Sequence, residues 1–426
     1  MLNGIKKSAI GIAVLGALAS AVHAEESGNS ITVYGVADAA VGKEQHSLNV
    51  DSQFPSSVNP ATAVKTSVPH SATGIFNGGI SDSRLGFKGM ADIGDGMKAF
   101  MVVEEGFNLP TGTTNSSAGS LASNGGTAYS ASGTGSMNAQ LFNRQAFVGM
   151  SDATLGSVSI GRQYAPIFDI AVQYDPVQNA QLFSPLGQSG IYGGGGGVSE
   201  DTRMDNSLKY SNKIGSFNFG TLYKFGGVAG QSSAKSGFAL NAGYEEGNLG
   251  IQAAYEAFND ALKGASGAAA NTVSVTAYDT KAFMIAAKYK IGEQTTVKAG
   301  YETFTLSQPT EAISLATTYY YGQTVNAVTN YGSTQKTNLV FVGGDYNFTD
   351  HFNLAAGLYS ITADQSGDGK TPSGTSRYIG LLADYHYTKY FDNYLGVMEG
   401  RFSGPAYATG YYTSNYIVAA GMRYRF

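Results

Sequence analysis

Past residue 25 the 426-residue chain carries four histidines, His46, His70, His351 and His386, and it has neither cysteine nor tryptophan. Acid–base catalysis needs such a base within hydrogen-bond reach of the group it serves, and a catalytic metal needs several ligands on one site. These histidines are scattered, which argues against a catalytic metal, and no cofactor is expected. His351 falls in an expected short turn and His386 near a strand end. That leaves His46 and His70, on the first long loop, as the bases a rim site would use. Without cysteine, thiol catalysis, disulfide frameworks and cysteine-based metal clusters are excluded. Gly193–Gly197 has the freedom of a phosphate-cradling loop but lacks the Lys-Ser/Thr that should follow it. Gly187-Gln188-Ser189-Gly190 closes one residue too early for a nucleophile elbow. The acids between Asp364 and Asp368 could touch calcium, but without EF-hand spacing. The residues that could do chemistry do not assemble a reaction, so the elements carrying them must be asked what they build.

Those elements are drawn from an unusual composition: 57 glycines, 28 tyrosines, 22 phenylalanines and only 13% charged residues. The charged fraction is about half the ~25% of soluble domains, yet mean hydropathy is slightly negative at -0.11. Polarity therefore comes from Ser, Thr, Asn, Gln and Gly. A formal charge of -5 argues against a nucleic-acid partner, which favours a basic surface.

Residues 1–24 read as a signal peptide. Lys6 and Lys7 precede an apolar run, Ala9 to Ala19, and Val22-His23-Ala24 has the form of a small-residue cleavage site. The run is too short for a spanning helix, which needs about 20 apolar residues. Residues 25–426 then form one exported unit that is secreted, periplasmic or built into an outer membrane.

This unit alternates with the period of a strand. Between Asn415 and Phe426, Tyr416, Val418, Ala420, Met422, Tyr424 and Phe426 share one face, opposite Ile417, Ala419, Gly421, Arg423 and Arg425. Phe217, Phe219, Thr221, Tyr223 and Phe225 oppose Asn218, Gly220 and Lys224, with Leu222 the exception; Phe283, Ile285, Ala287 and Tyr289 oppose Ala282, Lys288 and Lys290. Sixteen such segments are expected, starting near 30, 80, 97, 138, 156, 203, 216, 236, 249, 278, 295, 336, 352, 376, 394 and 415. Tight turns at 92–96, 153–156, 212–215, 245–248, 292–294, 349–351 and 391–393 alternate with long polar stretches such as 44–79, 108–137, 165–202, 307–335 and 364–375. A soluble sandwich or solenoid shows the same alternation. Two features favour a membrane. Aromatic residues, among them Tyr34, Tyr289, Tyr346, Phe348, Tyr387 and Tyr424, sit at the ends of the apolar face, where water–lipid girdles belong. The opposite face carries Arg, Lys, Glu and Asn, which calls for a wet interior. In lipid every backbone group must pair, so the sheet has to close. The expected fold is all-β: a 16-stranded antiparallel transmembrane β-barrel with short periplasmic turns and long extracellular loops.

Ile31-Thr32-Val33-Tyr34-Gly35, Ser83-Arg84-Leu85-Gly86-Phe87-Lys88-Gly89, Phe142-Asn143-Arg144-Gln145-Ala146-Phe147-Val148-Gly149, Gly161-Arg162-Gln163-Tyr164, Asn206-Ser207-Leu208-Lys209-Tyr210-Ser211 and Phe426 run in order along the chain. Together they resemble the general porins of Gram-negative bacteria, in the neisserial and burkholderial branch. The resemblance implies a homotrimer of barrels in the outer membrane, each a water-filled channel for passive diffusion of ions and small hydrophilic solutes. It also implies that the third long loop, residues 165–202, folds into the lumen and narrows it. Outer-membrane lipids and lipopolysaccharide would surround it. Phe426, Tyr424 and Met422 would be the signal read by the barrel-assembly machinery, besides forming the lipid face of the closing strand.

The loop carries Asp169, Asp175, Glu200 and Asp201, and the resemblance places arginines on the wall across from it, here Arg84, Arg144 and Arg203. Parity supports Arg84 and Arg203; for Arg144 it is ambiguous, because Phe142 and Val148 share its face. Arg162 shares parity with Val158 and Ile160 and should face lipid unless a bulge intervenes. Opposed charges across a narrow aqueous gap make a transverse field that favours small polar solutes. The same arginines would also hold the loop by neutralising its acids. An enzyme built on a barrel would need a base at one rim, a secreted β-rich adhesin would dissolve without detergent, and a 22-stranded plugged transporter does not fit in this length.

Overall fold

The computed structural model describes residues 29–49, 67–113, 141–189, 203–226, 232–233, 236–259, 279–307, 318–320, 323–325, 335–365, 374–403 and 414–426. The expected signal peptide, Glu200 and Asp201 lie outside them. The chain opens with strands β1 (Ser30–Asn49), β2 (Ser67–Asn77), β3 (Arg84–Gly94), β4 (Met97–Gly106), β5 (Gln145–Asp152) and β6 (Gly156–Tyr164). Helices α1 (Pro166–Tyr174) and α2 (Pro185–Ser189) follow. Next come β7 (Arg203–Ile214), β8 (Phe217–Lys224), β9 (Gly237–Glu246), β10 (Leu249–Phe258), β11 (Asp279–Ile291) and β12 (Thr295–Ser307). After a small hairpin of β13 (Thr318–Tyr320) and β14 (Gln323–Val325), the chain ends with β15 (Gln335–Asn347), β16 (Phe352–Gln365), β17 (Gly374–His386), β18 (Phe391–Ser403) and β19 (Ser414–Arg425).

Every barrel strand pairs antiparallel with its neighbours, and β1 closes the ring on β19 from Val36↔Arg425 to Ser47↔Ser414. On its other side β1 meets two partners in succession. Ser30–Val36 pair with β3, and Ala39–Asn49 pair with β2. β2 and β3 thus lie end to end along one stave, and seventeen segments close as a sixteen-stranded barrel. This corrects the expected second strand at 80 and the expected loop at 44–79. β1 runs on to Asn49, the second stave starts at Ser67, and residues 78–83 interrupt it. His46 and His70, expected on a loop, are register partners on β1 and β2. The fourth strand begins at Gln145 rather than 138, and the last short turn lies before Phe391 rather than at 391–393. The other expected starts fall within three residues of the observed ones.

The outward parity is apolar. Val148, Met150, Val158, Ile160, Val340, Leu358, Ile379 and Leu395 are all exposed, a belt too extensive for a soluble monomer's surface and suited to lipid. Rings flank it at the short-turn end, where Tyr346 packs on Phe348 at 4.7 Å and Tyr385 on Tyr387 at 5.0 Å. Met422, Tyr424 and Phe426 are exposed on the same outer face. Tyr34 is the exception to the expected girdle: it is buried inside and its hydroxyl donates to Glu104 at 2.9 Å. Among the described residues no helix is long and apolar enough to cross a membrane; the spanning is done by strands.

The interior is divided rather than uniformly wet. Along β10 to β19 the inward parity carries Met284, Phe341, Ile361, Leu382, Met398 and Ile417, all buried. Ile167, Ile170, Tyr174, Leu182, Phe183 and Leu186 of the segment after β6 pack against them in one apolar cluster. Four arginines, Arg84, Arg144, Arg162 and Arg203, gather on the opposite wall, β3 to β7, while buried carboxylates such as Glu256, Glu302 and Asp384 lie on β10, β12 and β17.

Candidate functional site

The segment after β6 turns inward at Ala165, and Pro166 supplies the fixed φ that suits a first helical position. Ala165 has no side chain to cap α1. The barrel wall provides the acceptor instead: buried Glu256 on β10 takes the Ile167 N–H at 2.8 Å. Asp169 in the first turn complements the helix dipole. The buried face of α1 lies against β8 to β12, and Val172 is exposed on the other side. At its end, Tyr174 donates to Glu245 at 3.5 Å, and the Lys288 ammonium stands 4.9 Å above its ring.

The chain then follows the inner wall across β16, β17 and β18. Asp175 is fully buried and accepts the Asn179 N–H at 2.7 Å and the Tyr359 hydroxyl, while Lys298 donates to its carbonyl at 3.0 Å. Asp175 was expected to line the constriction. It pins the loop to the wall instead, because its carboxylate is consumed by the loop's own backbone and a wall tyrosine. Burial pushes the Asp175 carboxyl above its ordinary range, against the opposing hydrogen bonds. Close approach of loop to wall requires glycine: a Cβ on Gly380 would lie 2.2 Å from the Phe183 carbonyl oxygen, and one on Gly396 2.5 Å from the Phe183 ring.

Across the lumen stands the charged wall. Arg144 is buried and donates from Nε to Glu104 at 2.7 Å, from Nη1 to Asp82 at 2.7 Å and from Nη2 to the Tyr164 hydroxyl at 2.7 Å. Its ambiguous parity has a cause: it precedes β5, after Phe142 at φ 68°, so strand alternation has not begun there. Arg84 faces the same cluster, 3.7 Å from Glu104, and is its most exposed arginine. Arg203 is buried, with its guanidinium 5.3 Å over the Tyr164 ring. Arg162 points inward, donating to Asp205 at 2.7 Å and to the Asn143 carbonyl at 2.9 Å. A bulge does intervene there: the register of β6 with β7 shifts between Gly161 and Gln163, and Gly161 has φ 135°. Val158 and Ile160 stay outside while Arg162 is rotated in.

Lys88 lies 4.4 Å over the Tyr34 ring on the same wall. The cluster therefore sets five cations, Arg84, Arg144, Arg162, Arg203 and Lys88, against three carboxylates, Asp82, Glu104 and Asp205. Asp169 spans toward this wall through Lys209 on β7 at 2.9 Å. Burial raises the Asp169 carboxyl and the Lys209 ammonium pulls it partly back. Asp82, Glu104, Lys88 and Lys209 were not anticipated. Lys88 and Lys209 share the inward parity of arginine-bearing strands, whereas Asp82 lies in the break between β2 and β3 and carries no strand parity.

Removing one partner from a buried ion pair leaves the other uncompensated, at a cost of about 3–5 kcal/mol. Arg144→Ala takes the 2.7 Å guanidinium partner from both Asp82 and Glu104, leaving Glu104 only the looser Arg84 contact as an ion pair, and should lower the temperature at which the barrel loses its folded mobility on a detergent gel. Arg84→Ala, at a looser and more exposed contact, should leave that temperature nearly unchanged.

At the short-turn end, Asp384, His386 and Asp392 converge with ligand atoms within 4.8 Å of one another. Arg423 and Arg425 hold the same carboxylates, with Arg423 3.3 Å from Asp384 and 3.2 Å from Asp392. The group is an ion-pair cluster. Sequence spacing does not reveal it, because Asp392 on β18 reaches His386 on β17 only across a turn.

A model of the Gram-negative porin family matches residues 11–405. The chain belongs to that family. As a porin it is a barrel of the bacterial outer membrane. An outer membrane porin protein of Bordetella pertussis is 28% identical over 285 residues, covering 62% of this porin and 62% of that one. The match thus spans less than two thirds of the length of that relative. Among solved structures, an anion-selective porin from Comamonas acidovorans superposes with a TM-score of 0.63 at 18% identity, covering 93% of this porin and 100% of that chain. OmpT of Vibrio cholerae, solved in a trimer form, gives 0.55 at 15% identity, covering 94% and 100%. At these identities the structures show a shared fold.

Proposed function

We propose that this porin is a passive channel for ions and small hydrophilic solutes, assembled as a homotrimer, whose narrowest passage runs between α1 and the β3–β7 wall. The observation that carries this reading is the division of the interior. The loop clads the apolar wall, while the arginines gather on the facing wall, where Arg84 is the most exposed of them. A solute passing between them meets water-held charge on one side and the Asp169 face of α1 on the other, and no step of chemistry is asked of it. Five cations against three carboxylates favour anions, in keeping with the anion-selective neighbour. Arg84, Arg144, Arg162 and Arg203 set that bias, and Asp169, held by Lys209, tempers it. The Vibrio neighbour's trimer form supports three barrels side by side. The outer belt is the surface for lipid and lipopolysaccharide, and exposed Met422, Tyr424 and Phe426 are placed for reading by the assembly machinery. Purified protein added to a planar bilayer should give ohmic current steps in groups of three, and a positive anion-to-cation permeability bias in a salt gradient. Folded protein that leaves the bilayer insulating would overturn the reading.

A further inference from the structure

Residues 78–83, which interrupt the second stave, are built around one side chain. Asp38 of β1 is fully buried, and its Oδ1 accepts the Gly79 N–H at 2.9 Å and the Tyr394 hydroxyl. Its Oδ2 accepts the Ile80 N–H at 3.2 Å and the Ser81 N–H at 2.8 Å. The Asp38 backbone completes the clasp: its N–H donates to Ser83 Oγ at 3.0 Å, and its carbonyl accepts the Gly78 N–H at 2.9 Å. Four donors on one carboxylate, three of them consecutive backbone amides, hold the chain in an inward turn that ladder pairing would otherwise straighten.

The carbonyls of that turn are spent on the constricting loop. Gly79 O accepts the Leu182 N–H at 3.0 Å and Ile80 O accepts the Gln181 N–H at 3.3 Å. Tyr394, the fourth donor to Asp38, packs its ring edge-on to Phe183 at 6.2 Å. The amides of residues 79–81 face Asp38, so the carbonyls of 79 and 80 face the loop. From this relay we infer that Asp38 is the positioning residue of the constriction: it fixes the platform on which the tip of the loop docks, and through it the width of the passage. Asp38 makes no contact with the passage itself. This inference rests on the channel reading above, which unmodified protein tests separately.

The experiment compares single-channel records of folded Asp38→Ala, Asp38→Asn and unmodified barrels, with folding checked by gel mobility. With its platform released, the tip should sample several positions on the microsecond-to-millisecond scale of loop motion, raising open-channel current noise by roughly two- to threefold and adding sub-conductance levels. Asp38→Asn keeps the size and one acceptor oxygen, so it should fall between, and it carries the test if the alanine variant fails to fold. Because the chain has no cysteine, Ile80→Cys with Gln181→Cys adds a single disulfide in place of the docking bonds, formed with oxidised glutathione. In the Asp38→Asn background it should restore quiet openings, and reduction should bring the noise back. Unmodified noise in folded Asp38→Asn, or noise that the crosslink does not suppress, overturns the inference. An unmodified barrel that carries no current would instead sink the channel reading.

Discussion

A barrel carrying Arg84→Ala and Arg203→Ala together should lose its anion bias. The wall cluster falls from five cations against three carboxylates to three against three. In a tenfold potassium chloride gradient the reversal potential should move toward the cation side by about half of the ~59 mV available to a monovalent ion. The shift should be large near 0.1 M salt, where charges act over about 10 Å, and fade near 1 M, where screening shortens that to about 3 Å. Arg84→Lys keeps the charge and should not move it. Arg401→Ala is the positional control, because that exposed guanidinium pairs with Glu399 far along β18. An unchanged reversal potential at low salt in the double variant would show that these arginines only brace the loop.

The second large effect concerns the space behind the loop. Gly380→Val and Gly396→Val each add methyl groups where Phe183 already lies within 2.5 Å of the first added carbon. The wall is a hydrogen-bonded ring and the interface behind the loop is tightly packed, so neither can absorb the volume. The side that yields is the loop, and it yields toward the arginine wall. Single-channel conductance should fall roughly twofold in either variant, since a narrower passage holds less water and fewer ions. Replacing residues 176–186 by a short Gly-Ser linker should act in the opposite direction and raise it. The opposed signs distinguish displacement of the loop from general damage, which would lower both. Unaltered conductance in folded Gly380→Val would refute the placement of Phe183 as the loop's contact with the wall.

How far the barrel was legible follows from what period-two patterning can carry. Strand starts were readable wherever the outer parity was apolar without interruption, as in β8, β11 and β19. The second stave was not, because 78–83 break its alternation and the break is held by Asp38, far away in sequence. Arg162 defeated parity for a related reason: one bulged residue at Gly161 turns the next side chain to the other face. Inward apolar residues such as Met284 and Leu382 went unread as a group. Alternation says which face a residue takes, not what covers that face. Sequence alone misplaces Asp175 because its partner, Tyr359, lies eight staves on from β6 around the barrel. The arginines were found through resemblance and parity together; the carboxylates that hold them, Asp82 and Glu104, follow only from contact.

The pairing of β1 with β19 has a consequence for how the molecule is made. Its two partners come from opposite ends of the described chain, so the longest possible loop must close before the last row of hydrogen bonds can form. Until Ser414–Arg425 have been synthesised, an incomplete barrel offers two bare edges, each a template for the wrong neighbour. Completion is therefore a single late event that no earlier portion can anticipate, and the growing chain needs shelter until it occurs. Once sealed, the ring has no first strand. Joining the ends and reopening the chain in one of the long loops should leave the same barrel, with its history of synthesis erased.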